Sequence, residues 1–201
     1  MFNVLIDSLP YEFNGKKIYP YHDVGIQISQ LIADKSLTNN EKIVQAVNLL
    51  FEDPPESLQE AEKGIEWFLN GWSTDRHKKK GKEEPPVMDF DRDQWRIWAA
   101  IKQQYGIDLA EEAVHWWVFM GMISNLDECA FTNVIELRQK KVDSKMSRET
   151  KKAIREAQAI YGLIADNEPD EQEQEAIARF RSLQNKSRQE PESSSQREPF
   201  A

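Results

Sequence analysis

The spacing of apolar residues changes near residue 24, and the change separates two kinds of predicted element. Upstream of it, loosely alternating apolar residues surround the pair Asn14-Gly15, which suits the two positive-φ positions of a type I′ turn. We therefore predict a small N-terminal β-hairpin. Pro10 and Pro20 lack the backbone N–H that a ladder requires, so they confine this hairpin to an edge or cut it short.

Downstream, apolar residues recur every three or four positions, which is typical of helices that bury one face. Such stripes cover 24–32, 43–51 and 58–72. Each stripe predicts one helix, with its apolar side turned towards a shared core.

Capping residues predict where these helices begin and end. Thr38 with Glu41, and Ser57 with Glu60, have the spacing of a capping box, in which a hydroxyl and a carboxylate accept hydrogen bonds from free backbone N–H groups. Gly71 is placed to end the third helix.

The helical period returns at Asp91, where Gln94 stands at capping distance, and it predicts a helix that Gly106 ends. The stripe predicted as its buried face consists of Trp95, Trp98, Ala99 and Tyr105, flanked by Ile97 and Ile101. Asp108 and Glu111 predict the start of the next helix. That helix would be apolar on most sides, and hence central in a core or covered by a partner, because it carries Leu109, Ala113, Trp116, Trp117, Met120 and Ile123.

Two shorter stripes follow. One, at 131–137, predicts a short helix, and the other begins after the capping residue Ser147 and carries Ile154, Ala157, Tyr161 and Ile164. The predicted fold class is mainly α: a multi-helix domain with a small N-terminal β-hairpin and a disordered acidic C-terminal tail.

Composition divides the chain into four parts. Residues 1–72 hold the hairpin and the first helices, and residues 73–90 form a charged linker without apolar period. The Trp-rich helical block at 91–165 is predicted to pack with the N-terminal part as one domain. Residues 166–201 are acidic and then rich in Gln, Ser, Glu and Arg, which predicts a largely disordered tail.

Net charge and cysteine content narrow the setting in which the protein works. A formal charge of −9 and a pI near 5.0 repel nucleic-acid phosphates, so proteins are the expected partners. Cys129 is the only cysteine, which excludes an intramolecular disulfide and fits a reducing cytoplasm. We expect no signal peptide at the N-terminus and no membrane span, since Asp7 interrupts the first apolar run and no run approaches 18 residues.

The basic run at 76–82 has two interpretations. A solvated loop is the simpler one, because the run lies between segments without helical period. An anionic partner, such as a nucleic acid bound by an accessory protein, is the other.

Residues that commonly perform catalysis or bind metal are poorly placed in this sequence. The three histidines do not share metal-ligand spacing on one helix face. Asp89, Asp91 and Asp93 resemble the start of a calcium loop, but Gln94 replaces the turn glycine and Ala100 the bidentate glutamate, so helix capping is favoured. We expect no enzymatic activity, no cofactor and a buried, structural thiol at Cys129.

The density of aromatic residues between 95 and 119 is the most unusual feature of the sequence. One interpretation is a core of large side chains that locks two antiparallel helices together. The other is a groove for an amphipathic helix, because aromatic residues dominate binding hot spots. The candidate protein-binding residues are Trp95, Trp98, Trp116, Trp117 and Phe119.

Several sequence blocks occur in a recognisable order. They are Leu5-Ile6-Asp7-x-Leu9-Pro10, Tyr19-Pro20, Asp89-Phe90-Asp91-x-Asp93, Trp98-Ala99-Ala100, Gln104-Tyr105-Gly106-Ile107-Asp108-Leu109, and His115-Trp116-Trp117-x-Phe119 with Leu126. In this order the chain resembles the bacteriophage "gene product fifteen" family of siphophages and prophages of Gram-positive bacteria. The resemblance spans roughly 1–165, is strongest over 88–138, and leaves the acidic tail uncovered.

The resemblance implies a function through gene context, since such genes typically lie between those for the tail tube and the tape measure. It implies a tail assembly chaperone that binds the tape measure protein, with the tail tube protein as a second partner and self-association left open. Such a protein would act in the host cell cytoplasm and be absent from the mature virion. The alternative is a structural virion protein, such as a tail completion or connector subunit.

Overall fold

A computed structural model describes residues 2–73 and 86–163, and in this part of the chain the predicted mainly α fold is confirmed: it holds seven helices and one two-stranded hairpin. The described residues all belong to one unit, Met1–Leu163. Most of the predicted linker, including the basic run at 76–82, and the predicted tail at 166–201 lie outside the described residues.

The hairpin forms where the sequence predicts it. Strands β1 (Glu12–Phe13) and β2 (Lys16–Lys17) pair antiparallel, and Asn14 (φ 50°) and Gly15 (φ 77°) adopt the positive φ values of the turn. The chain then continues as a strap, residues 18–22, which is extended up to Tyr21 and ends at the first residue of the next helix. Its backbone pairs with the end of one helix through the Ile18–Phe51 bridge and with a later segment through the Tyr21–His115 bridge.

Three helices follow the strap: α1 (His22–Ala33), α2 (Asn39–Leu50) and α3 (Leu58–Asn70). The capping box of Thr38 and Glu41 is confirmed at the start of α2. The second predicted box is wrong, because Ser57 precedes α3 without a side-chain capping bond and the Glu60 carboxylate accepts a hydrogen bond from Asn14 Nδ2 of the hairpin (3.0 Å) instead.

Helix α4 (Gln94–Tyr105) ends at Gly106 (φ 74°), as predicted, but it begins three residues after the predicted start at Asp91. Its buried residues are Ile97, Ala100 and Ile101. The predicted buried stripe is therefore wrong: Trp95 is 73% exposed, and Ala99 and Tyr105 are also exposed. Neighbouring stripes on this helix are both apolar, and the aliphatic one faces the core.

Helix α5 (Trp116–Ser124) begins well after the predicted start at Asp108. The backbone before it is extended because it pairs with the strap: the His22 N–H donates to Val114 O and the Trp116 N–H donates to Pro20 O, both at 2.7 Å. Because these hydrogen bonds occupy Val114 O and the Trp116 N–H, the two groups cannot form the backbone hydrogen bonds of a longer helix.

The last two helices are α6 (Ala130–Gln139) and α7 (Arg148–Tyr161), and Ser147 caps α7 as predicted, its Oγ accepting from the Thr150 N–H at 3.1 Å. Cys129 precedes α6 and is only partly buried. The core lies mainly between α1, α2, α3 and α5, while α4 packs on α5 and α6, and α7 packs on α6. The largest fully buried apolar side chains are Phe68, Phe119, Ile28, Leu50 and Ile101.

Candidate functional site: a tryptophan groove with an acidic rim

Two of the candidate residues, Trp116 and Trp117, lie in the core with 2% and 5% of their surface exposed. Their indole N–H groups donate to backbone carbonyls near the end of α3, Trp116 to Leu69 O at 3.3 Å and Trp117 to Phe68 O at 2.7 Å. Buried indoles require such partners. The two residues therefore lock α5 against α3.

Trp98 is half-buried and held by a charged neighbour. Its Nε1–H donates to Asp108 Oδ1 at 3.0 Å, and the Lys102 ammonium lies 4.9 Å from its ring centroid and 2.5 Å from Asp108 Oδ2. The hydrogen bonds from Lys102 and Trp98 lower the pKa of Asp108 to about 2. The hydrogen bond to Asp108 in turn raises the pKa of Lys102, so this pair is fully ionised at neutral pH.

Trp95 differs from the other three tryptophans in this block. It contacts Trp98 edge-on, with 6.0 Å between ring centroids, yet 73% of its surface is exposed. No described residue places an acceptor within hydrogen-bond distance of its indole N–H. Both its apolar ring and its donor are therefore available to another molecule.

Trp95 and Trp98 form one side of a groove that we call the Trp95 groove. Its volume is about 390 Å³. The buried side chains of Phe119 and Ile97 also line it, and α1 contributes His22 and Ile26. The lining residues are His22, Ile26, Phe90, Gln94, Trp95, Ile97, Trp98, Asp108, Leu109, Ala110 and Phe119.

Four exposed carboxylates, each next to a lining residue in the chain or bonded to one, lie beside this groove, and we call them the acidic rim: Asp23, Asp91, Glu111 and Glu112. Asp91 follows the lining residue Phe90 and accepts a hydrogen bond from Gln30 Nε2 of α1 at 2.6 Å. Glu112 Oε1 accepts from the Asp108 N–H at 3.1 Å, and Glu111 is near enough to Lys102 to raise its pKa. Asp23 stands one helical turn before the lining residue Ile26.

A second groove, of about 400 Å³, lies on the other side of α5. Its residues come from the N-terminus, the end of α3 and helices α4 and α5: Phe2, Val4, Trp72, Tyr105, Trp117, Val118, Gly121, Met122 and Asn125. Of the candidate residues it contains Trp117 alone.

A buried ion pair fixes the start of α4. The Arg138 guanidinium donates to both carboxylate oxygens of Asp93, at 2.6 and 2.9 Å, and also to Val87 O and Tyr161 O. Burial alone would raise the pKa of Asp93, but the hydrogen bonds from Arg138 and from the Asp89 N–H hold it below its usual value. Sequence reasoning assigned Asp93 to capping and missed this pair, because no pattern links residues 45 positions apart.

His115 fixes the start of α5 in a similar way. Its Nδ1 accepts from the Trp117 N–H at 3.1 Å and its Nε2 lies 3.0 Å from Pro10 O, an arrangement that suits the neutral ring with its proton on Nε2. Burial lowers the pKa of His115, against a smaller opposing effect of the Pro10 carbonyl. The residue is 6% exposed.

The candidate residues thus separate into three places. Trp95, Trp98 and Phe119 line the Trp95 groove, Trp117 borders the second groove, and Trp116 is in the core. His22 and Ile26 of α1, which also line the Trp95 groove, could not be found from the sequence, because nothing in it pairs α1 with α4.

Within 2–73 and 86–163, no group of three or more His, Cys, Asp or Glu side chains is placed to hold a metal ion. In the same residues, no helix combines the length and the apolarity that crossing a membrane requires.

Fold and site together define a mainly α protein that presents an aromatic groove on a hydrogen-bonded helical scaffold. The family model described as "Bacteriophage Gp15 protein" matches residues 5–163, and the chain belongs to this family. Membership indicates a phage structural or assembly-related protein, which confirms the family part of the resemblance. No curated protein and no solved structure matches the chain.

Proposed function

We propose that this phage protein is a tail assembly chaperone, which binds the tape measure protein and keeps it soluble while the tail tube polymerises. It would act in the host cell cytoplasm by binding and not by catalysis. The phage that encodes it would be a siphophage or prophage of Gram-positive bacteria, and the protein would be absent from the finished particle. The tail tube protein is a second candidate partner.

The observation that carries the proposal is the exposure of Trp95 beside an apolar groove. Tryptophan is among the residues most enriched in binding hot spots, and a long helical partner offers apolar side chains at the spacing that a groove accepts. The ion pair of Asp93 and Arg138 holds the start of α4 in place, so Trp95 is presented on a fixed element. The net charge of −9 supports solubility of both the free protein and its complex.

Co-expression with the tape measure gene of the same phage tests the proposal. We expect the wild-type chain to bring the tape measure into the soluble fraction and to co-purify with it. Trp95→Ala should reduce the recovered tape measure several-fold. Ile160→Ala is the matched control, because Ile160 is also 73% exposed but lies on α7, away from the groove.

Two results would overturn the proposal. One is a tape measure that stays insoluble beside abundant wild-type protein. The other is stoichiometric presence of this chain in purified particles by mass spectrometry, which would assign it to the virion as a completion or connector subunit.

A further inference from the structure

We propose that the Trp95 groove takes an amphipathic helical segment with a basic polar face, in which lysines or arginines flank the apolar anchors. The inference depends on the proposed function only for the identity of the partner, the tape measure protein. The chemistry of the segment follows from the groove itself.

The shape of the groove fits one face of a helix. Helix α1 contributes Ile26 and helix α4 contributes Trp95 and Trp98, and the buried ring of Phe119 also lines the groove. A helix that lies in such a groove places anchors at positions i, i+3 or i+4, and i+7 along one face. The exposed donor of Trp95 can bond a polar group at the edge of the same segment.

The exposed charges beside the groove are mostly acidic. Asp23, Asp91, Glu111 and Glu112 are exposed, and the described lining residues include no lysine or arginine. Lys102 is near the rim, but Asp108 neutralises it. A basic segment would therefore be attracted to the groove, and an acidic one would be repelled.

The aromatic rings favour the same sign of charge. Trp98 already has the Lys102 ammonium 4.9 Å from its ring centroid, which is the geometry of a cation–π contact. The Trp95 ring has no described cation over it and is exposed. A lysine or arginine of the partner can occupy that position.

Two synthetic helical peptides provide the direct test. They share the same leucine and tryptophan anchors at i, i+3 and i+7, and they carry either lysine or glutamate at all the flanking positions. Binding to the full chain is measured by fluorescence anisotropy at low salt and at about 0.3 M salt, where charges more than several Å apart are screened. We expect the lysine peptide to bind at least about tenfold more tightly than the glutamate peptide at low salt, and the difference to shrink at high salt.

Rim variants place this binding at the groove. Asp91→Lys combined with Glu111→Lys should weaken the lysine peptide about tenfold or more and strengthen the glutamate peptide. Asp53→Lys combined with Glu62→Lys changes the net charge equally at exposed positions on α3 and just before it, and it should leave the preference in place. Trp95→Ala should weaken both peptides, and circular dichroism of each variant verifies the fold.

The outcomes separate this inference from the proposed function. Equal binding of the two peptides, or binding that ignores both the rim reversal and Trp95→Ala, overturns the inference. If the tape measure co-purifies equally with wild type and with the rim variant, the function stands and the inference is wrong. Groove-specific binding of the lysine peptide without recovery of the tape measure supports the inference and removes the proposed partner.

Discussion

Two tryptophan pairs lie close in the sequence and have opposite environments. Trp116 and Trp117 are buried, and both indole N–H groups donate to backbone carbonyls of α3. Trp98 donates to a side chain at the surface, and Trp95 is exposed without a described acceptor. The aromatic block therefore combines the two interpretations that the sequence left open: one pair builds the core and the other forms a surface groove.

The largest expected effect is the difference in stability between a variant that truncates Trp117 of the buried pair and one that truncates Trp95 of the exposed pair. Trp117→Ala removes a buried ring and its hydrogen bond to Phe68 O, which should lower the free energy of unfolding by about 3–5 kcal/mol. Trp95→Ala should change it by less than about 0.5 kcal/mol, because 73% of the Trp95 surface is exposed. Urea unfolding followed by circular dichroism measures both.

Similar decreases in the free energy of unfolding for Trp117→Ala and Trp95→Ala would contradict the contrast between a buried and an exposed tryptophan pair. They would mean that Trp95 belongs to the core in solution, and the groove would then lose its exposed anchor.

The sequence predicted the elements that depend on near neighbours. The Asn14-Gly15 turn, the Thr38 capping box and the glycine that ends α4 each involve residues within a few positions of one another. Their geometry is set by local sterics and backbone hydrogen bonds, so residue type and spacing were enough to find them.

The site depended on contacts that are distant along the chain. Helix α5 was predicted too long, because the pairing of Val114 and Trp116 with the strap at 18–22 joins residues more than 90 positions apart. Tertiary packing likewise determines which face of α4 is buried, the one with Ile97 and Ile101 or the one with Trp95. Periodicity located the aromatic block but could not assign its members to core or groove.

The second prediction concerns the ion pair of Asp93 and Arg138, which fixes the start of α4, the helix that carries Trp95 and Trp98. Arg138→Ala removes two hydrogen bonds from the buried Asp93 carboxylate and leaves it with Arg96 Nη1 (3.1 Å) and the Asp89 N–H, which should cost up to about 3–5 kcal/mol of stability. Lys152→Ala is the control, since the Lys152–Glu156 pair is exposed and 3.7 Å long, and we expect no measurable change. Thermal unfolding of the two variants in the same buffer measures both changes in stability. If Arg138→Ala were as stable as the wild type, α4 would not need this ion pair.

A glycine pair tests how tightly the buried tryptophans are packed. A Cβ at Gly25 would lie 2.1 Å from Trp116 Cε3, whereas a Cβ at Gly121 of α5 would meet no atom within 4 Å. Gly25→Ala should therefore destabilise by about 1–3 kcal/mol, and Gly121→Ala should stabilise by about 0.4–1 kcal/mol because alanine favours a helix. If Gly25→Ala did not lower the urea midpoint, the close contact of α1 with Trp116 would be disproved.

The smallest expected effect is a pH dependence of stability that comes from His115, the residue that caps α5 just before Trp116 and Trp117. Protonation of His115 would place a hydrogen on Nδ1, which accepts from the Trp117 N–H, while the ring faces Pro10 O and the Tyr11 ring. The folded state lowers the pKa of His115 through burial, so the unfolded state binds the proton more readily. Stability should be complete above the usual histidine pKa and should fall as the pH decreases below it. The slope cannot exceed about 1.4 kcal/mol per pH unit, the limit for one proton.

His115→Asn isolates this contribution, because asparagine caps a helix without titrating near neutral pH. Unfolding free energies measured between pH 7.5 and pH 5.5, roughly one unit to either side of the usual histidine value, should fall for wild type and stay flatter for the variant. Identical slopes would mean that the His115 ring is as free to protonate in the folded chain as in the unfolded one. The cap would then not distinguish Trp116 and Trp117 from the exposed pair, and their burial would depend on the bonds to α3 and on packing alone.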